Sequence, residues 1–324
     1  SAKKVYDATP LTAPGVTMTL GNFAPGEGFD TAPASTTEQI AAGVRDNEFV
    51  LPSLRSGTLA DNYTMSRVYG TLTVERRNIL IIVDDVEKNY GDPDPAFTYR
   101  FQEGAYLGIT FYSVLAGDLA GVNITPARTD AGLPWGEDPG VHRLIHAEFG
   151  ASSSLLNPSY FVRYVIGALT INPQITYLPG TTEVVTGMPT AQWAPYDGSA
   201  VLSSGATAAR TGFTLVGWLD AATGTTYALG ATMANVQQNT ELTAVWEANR
   251  YDIVFITGTG AAVANMPATI TGAAYRSTVT LPAALPTRAG FTFAGWQSGD
   301  VDGTVRTYGA GTGFTMPNQA IAFT

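Results

Sequence analysis

The strongest constraint on this fold is that the second half of the chain repeats itself. Arg210-Thr211-Gly212-Phe213-Thr214-Leu215-Val216-Gly217-Trp218 recurs 78 residues later as Arg288-Ala289-Gly290-Phe291-Thr292-Phe293-Ala294-Gly295-Trp296. Gly180 and Gly258 keep that spacing, as do Met188-Pro189 and Met266-Pro267. A supersecondary unit used twice leaves its punctuation twice, so these residues mark two small units in tandem. Phe213 and Leu215 alternate as a half-buried strand does, Gly217 permits close approach, and Trp218 is large enough to anchor a small core with Trp246. Trp218 and Trp296 are therefore read as core anchors, with sugar stacking the lesser reading. The first copy closes on Leu242-Thr243-Ala244-Val245-Trp246. The second reaches Ile321-Ala322-Phe323-Thr324 without a matching tryptophan, which reads as a last strand cut short in a fragment.

A different pair organises the first half. Asn62-Tyr63 leads to Gly70-Thr71-Leu72-Thr73-Val74, and Tyr160 leads to Gly167-Ala168-Leu169-Thr170-Ile171 at constant spacing. Each is read as the last strand of a domain. Apolar residues alternate at Tyr63 and Met65 and then change phase to Val68, Leu72 and Val74; the later copy alternates at Tyr160, Val162 and Tyr164, then at Val165, Leu169 and Ile171. A phase change within a period of two predicts a bulge or a bend. The domain starts correspond as well, Val5-Tyr6-Asp7-Ala8-Thr9-Pro10 and Asn89-Tyr90-Gly91-Asp92-Pro93-Asp94-Pro95, both turns rich in Pro and Asp.

Four units follow, over 1–75, 76–172, 173–248 and 249–324. They are joined by Glu75-Arg76-Arg77, Asn172-Pro173 and Glu247-Ala248-Asn249, and joints this short favour an extended array with restricted hinges. Helix evidence is thin. Ser35-Thr36-Thr37-Glu38 has capping-box spacing, but Gly43 follows soon and a strand is expected. The residues after Met188-Pro189 and Met266-Pro267 leave room for a short helix, poor on propensity because of their Thr, Gly and Pro.

Composition removes most catalytic templates. Without cysteine there are no disulfides, thiolate metal sites or thiol nucleophiles, and two histidines leave little for imidazole chemistry. The net charge is −10 and the basic residues cluster no further than Arg76-Arg77, so nucleic acid is disfavoured as a partner. The uncharged run from Ile253 to Tyr275 contains Gly258, Gly260, Pro267 and Gly272, a mixture that argues against a membrane span. Ser1-Ala2-Lys3-Lys4 runs into Val5-Tyr6-Asp7, without the apolar stretch of a signal peptide.

Several motifs imitate chemistry. His142-Arg143-Leu144-Ile145-His146 has the spacing of a zinc-binding helix but lacks the Glu that follows the first His, and it reads as a strand, where the two rings stand about 13 Å apart. Gly258-Thr259-Gly260-Ala261-Ala262-Val263 imitates a dinucleotide loop, yet Val263 replaces the third glycine and Pro267 interrupts any helix, so a turn is expected. Asp84, Asp85, Glu87, Asp92 and Asp94 concentrate carboxylates that could hold Ca2+ or act as an acid/base pair, but alternation divides the first three between two faces, and a solvated strand end is the simpler reading. Lys88 is the one plausible donor for an intramolecular Lys-Asn or Lys-Asp isopeptide bond. Trp135 and Trp193, among Pro and Gly, are the aromatic binding candidates, with loop packing as the alternative. No catalytic residue, cofactor or metal site is assigned.

Residues 1–75, through Val5-Tyr6-Asp7 and Ala60-Asp61-Asn62-Tyr63 to Gly70-Thr71-Leu72-Thr73-Val74, resemble the YDG/MBG-type domains of bacterial surface proteins. Residues 76–172 resemble the sister MBG type, through Lys88-Asn89-Tyr90-Gly91-Asp92-Pro93-Asp94-Pro95. Residues 173–324 resemble two internalin B-type B repeats, or Listeria-Bacteroides repeats, through the Gly-Phe-Thr-x-x-Gly-Trp core. The resemblance implies a mostly β fold, with two β-sandwich domains and two small β-grasp-like repeats in tandem. It further implies a secreted, non-enzymatic adhesin or spacer at the bacterial cell surface; the rival reading is direct recognition of a host glycan or host surface protein through 76–172.

Overall fold

The computed structural model describes residues 1–119, 124–146, 157–298 and 304–324. The protein is mostly β, as expected; the helices among the described residues are two single 3-10 turns, Ala60–Asn62 and Ala116–Asp118. Its strands are rich in Val, Ile, Thr and Tyr, which pack well on a pleated surface. The chain forms two compact units, Ser1–Ile171 and Asn172–Thr324.

In the first unit the strand Gly70–Glu75 runs parallel to Ala2–Val5 and antiparallel to Gly43–Asn47. Its period-two pattern buries Leu72 and Val74. The segment with capping-box spacing is extended: Glu38–Gln39 pairs with Leu11–Thr12, and Gly43 opens the next strand. Beyond Glu75, the strand Arg77–Val83 pairs in parallel with Tyr160–Val165 and antiparallel with Tyr99–Gln102. A four-stranded sheet carries, in spatial order, Pro126–Arg128, Gly140–His146, Gly167–Asn172 and Val86–Asn89.

The phase change near Gly167 is neither a bulge nor a simple bend. The chain leaves one sheet after Val165 and enters the other at Gly167, so the buried face is reset. The alternation at Tyr63 and Met65 forms no strand, and local contacts hold Tyr63 instead. Its ring lies 4.8 Å from that of Phe23, its hydroxyl donates to Glu27 at 2.5 Å, and it accepts from the Ala24 amide at 2.9 Å. One buried cluster takes Tyr6 and Val74 from one side of Arg76 and Ile79, Ile81, Val114 and Tyr160 from the other. A second comprises Val83, Leu144, Leu169 and Ile171.

In the second unit the first repeat is a five-stranded sheet ordered Gln192–Trp193, Gln174–Leu178, Thr240–Ala248, Phe213–Asp220, Thr225–Ala228. Gln174–Leu178 and Thr240–Ala248 are parallel and the other pairs antiparallel. Trp218 is fully buried, 4.6 Å from the ring of Tyr177, and its indole nitrogen donates to Ser203 O at 2.7 Å. Trp246 packs partly buried at the edge of this core and donates to Pro179 O at 2.8 Å.

In the second repeat Arg250–Phe255 pairs with Ile270–Ala274 and, in parallel, with Ile321–Phe323. Trp296 is buried against Phe255 and Phe293, with ring centroids 4.7 and 4.9 Å away. The expectation that these tryptophans anchor cores agrees with this burial. The segments after the two Met-Pro pairs form strands, Gln192–Trp193 and Ile270–Ala274, where a short helix was an option. Adjacent sheet edges supply backbone partners that a weak helix former cannot match from within.

Candidate functional site

The densest polar cluster among the described residues lies at one end of the four-stranded sheet, around the loop 130–138. Its cations come from the two edge strands: Lys88 from Val86–Asn89 and Arg128 from Pro126–Arg128. Its carboxylates come from loops. Lys88 Nζ lies 2.8 Å from Asp94 Oδ1 and 2.6 Å from Glu137 Oε2, and it donates to Asp92 O at 3.1 Å. Arg128 Nε sits 2.9 Å from Asp94 Oδ2, an ion pair without hydrogen-bond alignment, while its two terminal nitrogens bond Gly136 O and Glu137. Two cations thus face two carboxylates, and both cationic side chains are almost fully buried.

Burial opposes the charge on Lys88 and Arg128, but their hydrogen bonds and ion pairs to Glu137 and Asp94 outweigh it and raise both above their usual values. Hydrogen bonds from Lys88 and Arg128 hold Glu137 below the usual glutamate range. Amide formation at Lys88 would need the neutral amine and a protonated acid. The charged amine and the ionised Glu137 are favoured here, and the contacts around Lys88 are those of an ion-pair latch.

His142, on the strand Gly140–His146, completes the bracing. Its Nδ1 lies 2.5 Å from Asp130 Oδ2 and its Nε2 lies 2.8 Å from Asp138 O. Both ring nitrogens are thus engaged within the loop. The segment is a strand, as its spacing predicts; the side chain of His146 lies outside the described residues.

Between these anchors the loop is a series of tight turns. Leu133 N donates to Asp130 O, Gly136 N to Leu133 O and Asp138 N to Trp135 O, at 3.0, 3.0 and 3.2 Å. Position 136 admits only glycine, because a Cβ there would lie 2.2 Å from Asp130 O. At the loop's tip Trp135 is 58% exposed and Leu133 42%. A large aromatic face is thereby presented to solvent on a backbone fixed from three strands, the arrangement by which rigid scaffolds offer binding groups.

The other candidates disperse. Asp84 pairs with Arg100 and accepts from Thr98 at 2.7 Å; Asp85 accepts from the Ala168 amide at 2.8 Å. Asp94 belongs to the latch, and Asp92 joins it only through its carbonyl. Among the described residues no three His, Asp or Glu side chains converge as metal ligands. Gly258-Thr259-Gly260-Ala261 forms a turn closed by Thr257 on Thr259 O and by Ala261 N on the Thr259 hydroxyl. Trp193 is 43% exposed on a short paired strand. Sequence reasoning singled out Trp135 and Lys88 but missed Arg128, Asp130 and Glu137, which no spacing rule connects to Lys88.

These observations define a mostly-β protein whose second unit is a tandem repeat. Residues 179–245 and 251–323 each match the family model described as the Listeria-Bacteroides repeat domain. No curated protein and no solved structure matches the chain. No helix among the described residues is long and apolar enough to cross a membrane.

Proposed function

We propose that this chain is a non-enzymatic part of a multi-repeat bacterial cell-surface protein, an adhesin segment that also acts as a spacer. The observation that carries the reading is the pair of Listeria-Bacteroides repeat matches, each built round its own buried tryptophan. The charged side chains of the densest cluster are engaged in bracing a loop, which supports a structural rather than a catalytic use of them. The resemblance of residues 1–172 to YDG/MBG-type domains supports the same reading, an extracellular one.

The braced loop favours direct recognition within 76–172. An exposed indole on a fixed backbone suits stacking against the apolar face of a pyranose ring or docking on a host surface protein. A glycan array and a host-cell binding assay with the full chain, run beside Trp135→Ala, test this. Binding that the substitution abolishes supports recognition at the loop. Binding that it leaves intact removes the loop from the reading, and absence of binding leaves the spacer role alone.

A further inference from the structure

The two repeats build the same turn, and only one copy of it is covered. Phe213 N donates to Arg210 O and Phe291 N to Arg288 O, both at 3.1 Å, and Gly212 and Gly290 share φ of 78°. The arginine lies over the phenylalanine ring in each, 3.6 Å from the centroid in the first repeat and 3.9 Å in the second. In the first repeat the next repeat's Tyr275 packs edge to face on Phe213, with centroids 5.6 Å apart. It packs so closely that a Cβ on Gly212 would lie 2.2 Å from its ring. Asn249, between the repeats, donates to Gly212 O at 2.9 Å and accepts from Tyr275 N at 2.8 Å. Glu183 pairs with both Arg210 and Arg276.

In the second repeat this surface is open. Phe291 is 65% exposed, and a Cβ on Gly290 would meet nothing within 4 Å. A hollow lined by Ala262, Val263, Ala264 and Thr287 adjoins Arg288. Ala261 stands where the first repeat has Glu183, so Arg288 lacks the carboxylate that holds Arg210.

The covering turn is itself repeated. Arg276 has φ of 65° and donates its amide to Met316 O; Asp197 has φ of 58° and donates to Val236 O. Tyr196-Asp197 therefore corresponds to Tyr275-Arg276, and the position after the tyrosine accepts either sign of charge.

We propose that the Arg288, Gly290 and Phe291 surface is a docking site for the tyrosine-bearing turn of a further repeat of this kind. We also propose that it selects a turn with a carboxylate after the tyrosine, as in Tyr196-Asp197, over one with arginine. The ring contact follows the geometry already present between the two repeats. The charge preference follows from Ala261: an incoming arginine would approach Arg288 with no counter-charge between them, whereas an aspartate would pair with it.

The test uses the full chain with residues 244–324 added again after Thr324. Asp220 pairs with Leu242 and Ser298 bridges Phe323, so Ala244 resumes the strand in register. Two versions differ in the added copy of Arg276, kept as Arg or changed to Asp. With selectively labelled Phe and Tyr rings, a cross-peak between Phe291 and the added tyrosine reports docking, and the Phe213–Tyr275 cross-peak in the same sample reports that the existing repeats are folded. The expected result is a Phe291 cross-peak in the Asp version, at least severalfold weaker in the Arg version, with the order reversed by Ala261→Glu. A Phe291 signal absent from both versions while Phe213–Tyr275 persists overturns the docking site. Equal signals overturn the charge preference.

Discussion

Tyr6 and Tyr160 meet edge to face with ring centroids 5.5 Å apart, and both direct their hydroxyls to Asp118 Oδ2, at 3.3 and 2.7 Å. This contact joins the start of the chain to the strand Tyr160–Val165, within the cluster that also holds Val74 and Ile79. Tyr160→Ala should therefore cost about 3–5 kcal/mol, the range for truncating a buried aromatic. Amide exchange should accelerate in Gly70–Glu75 as well as in Arg77–Val83. Unchanged exchange in Gly70–Glu75 would show that the two segments do not share a core.

Burial and the hydrogen bond to Asp118 push the Tyr160 phenol up to about 12. The neutral phenol is thus favoured in the folded state. Its stabilisation is complete below the unfolded value of about 10 and is lost as pH rises towards 12. In alkaline titrations followed by chemical denaturation, Tyr160→Phe should lose less stability over that window than the parent chain does.

At the other end of the scale, Lys88 and Arg128 hold Glu137 below its ordinary range. A depressed carboxyl stabilises above its unfolded pKa, about 4.3, and that contribution disappears as pH falls through the lower folded value. Glu137→Gln should flatten the acid limb of the stability curve. Lys88→Met should cost about 1–3 kcal/mol at neutral pH, less than the 3–5 of a fully buried pair, because Arg128 and water still reach the carboxylates. A loss near zero would mean that the latch does not brace the loop.

Within the loop, side chain and backbone should separate cleanly. Trp135→Ala should change stability by no more than about 0.5 kcal/mol, as for an exposed position. Gly136→Ala drives a methyl into Asp130 O and should lower the melting temperature and alter Trp135 fluorescence. Equal effects from the two would place Trp135 in the packing rather than at the surface.

Trp218→Ala and Trp296→Ala should each cost about 3–5 kcal/mol in the repeat that holds them. The contacts of Tyr275 and Asn249 with Gly212 and Phe213 make the repeats interdependent, so Trp218→Ala should also speed exchange in Arg250–Phe255. Adding Tyr275→Ala should remove that second effect while leaving the first.

The mostly-β character, the two tandem repeats and their buried tryptophans were legible in the sequence because they are local facts. A Gly-Phe-Thr-x-x-Gly-Trp run that recurs at a fixed spacing marks a unit used twice before any long-range contact is known. Trp135 stood out for a similar reason, as a large ring among turn residues. What the tertiary structure alone decided is which distant groups meet. Lys88, Arg128 and His142 lie on three strands whose order in the sheet is not their order in the chain, so the latch has no signature in spacing. The phase change at Gly167 was visible, but whether it meant a bulge or a change of sheet depended on where partner strands were available. Phe213 and Phe291 sit in nearly identical sequence, yet one is covered and the other exposed, because burial depends on what a neighbouring unit brings to the surface and not on the residues that build it.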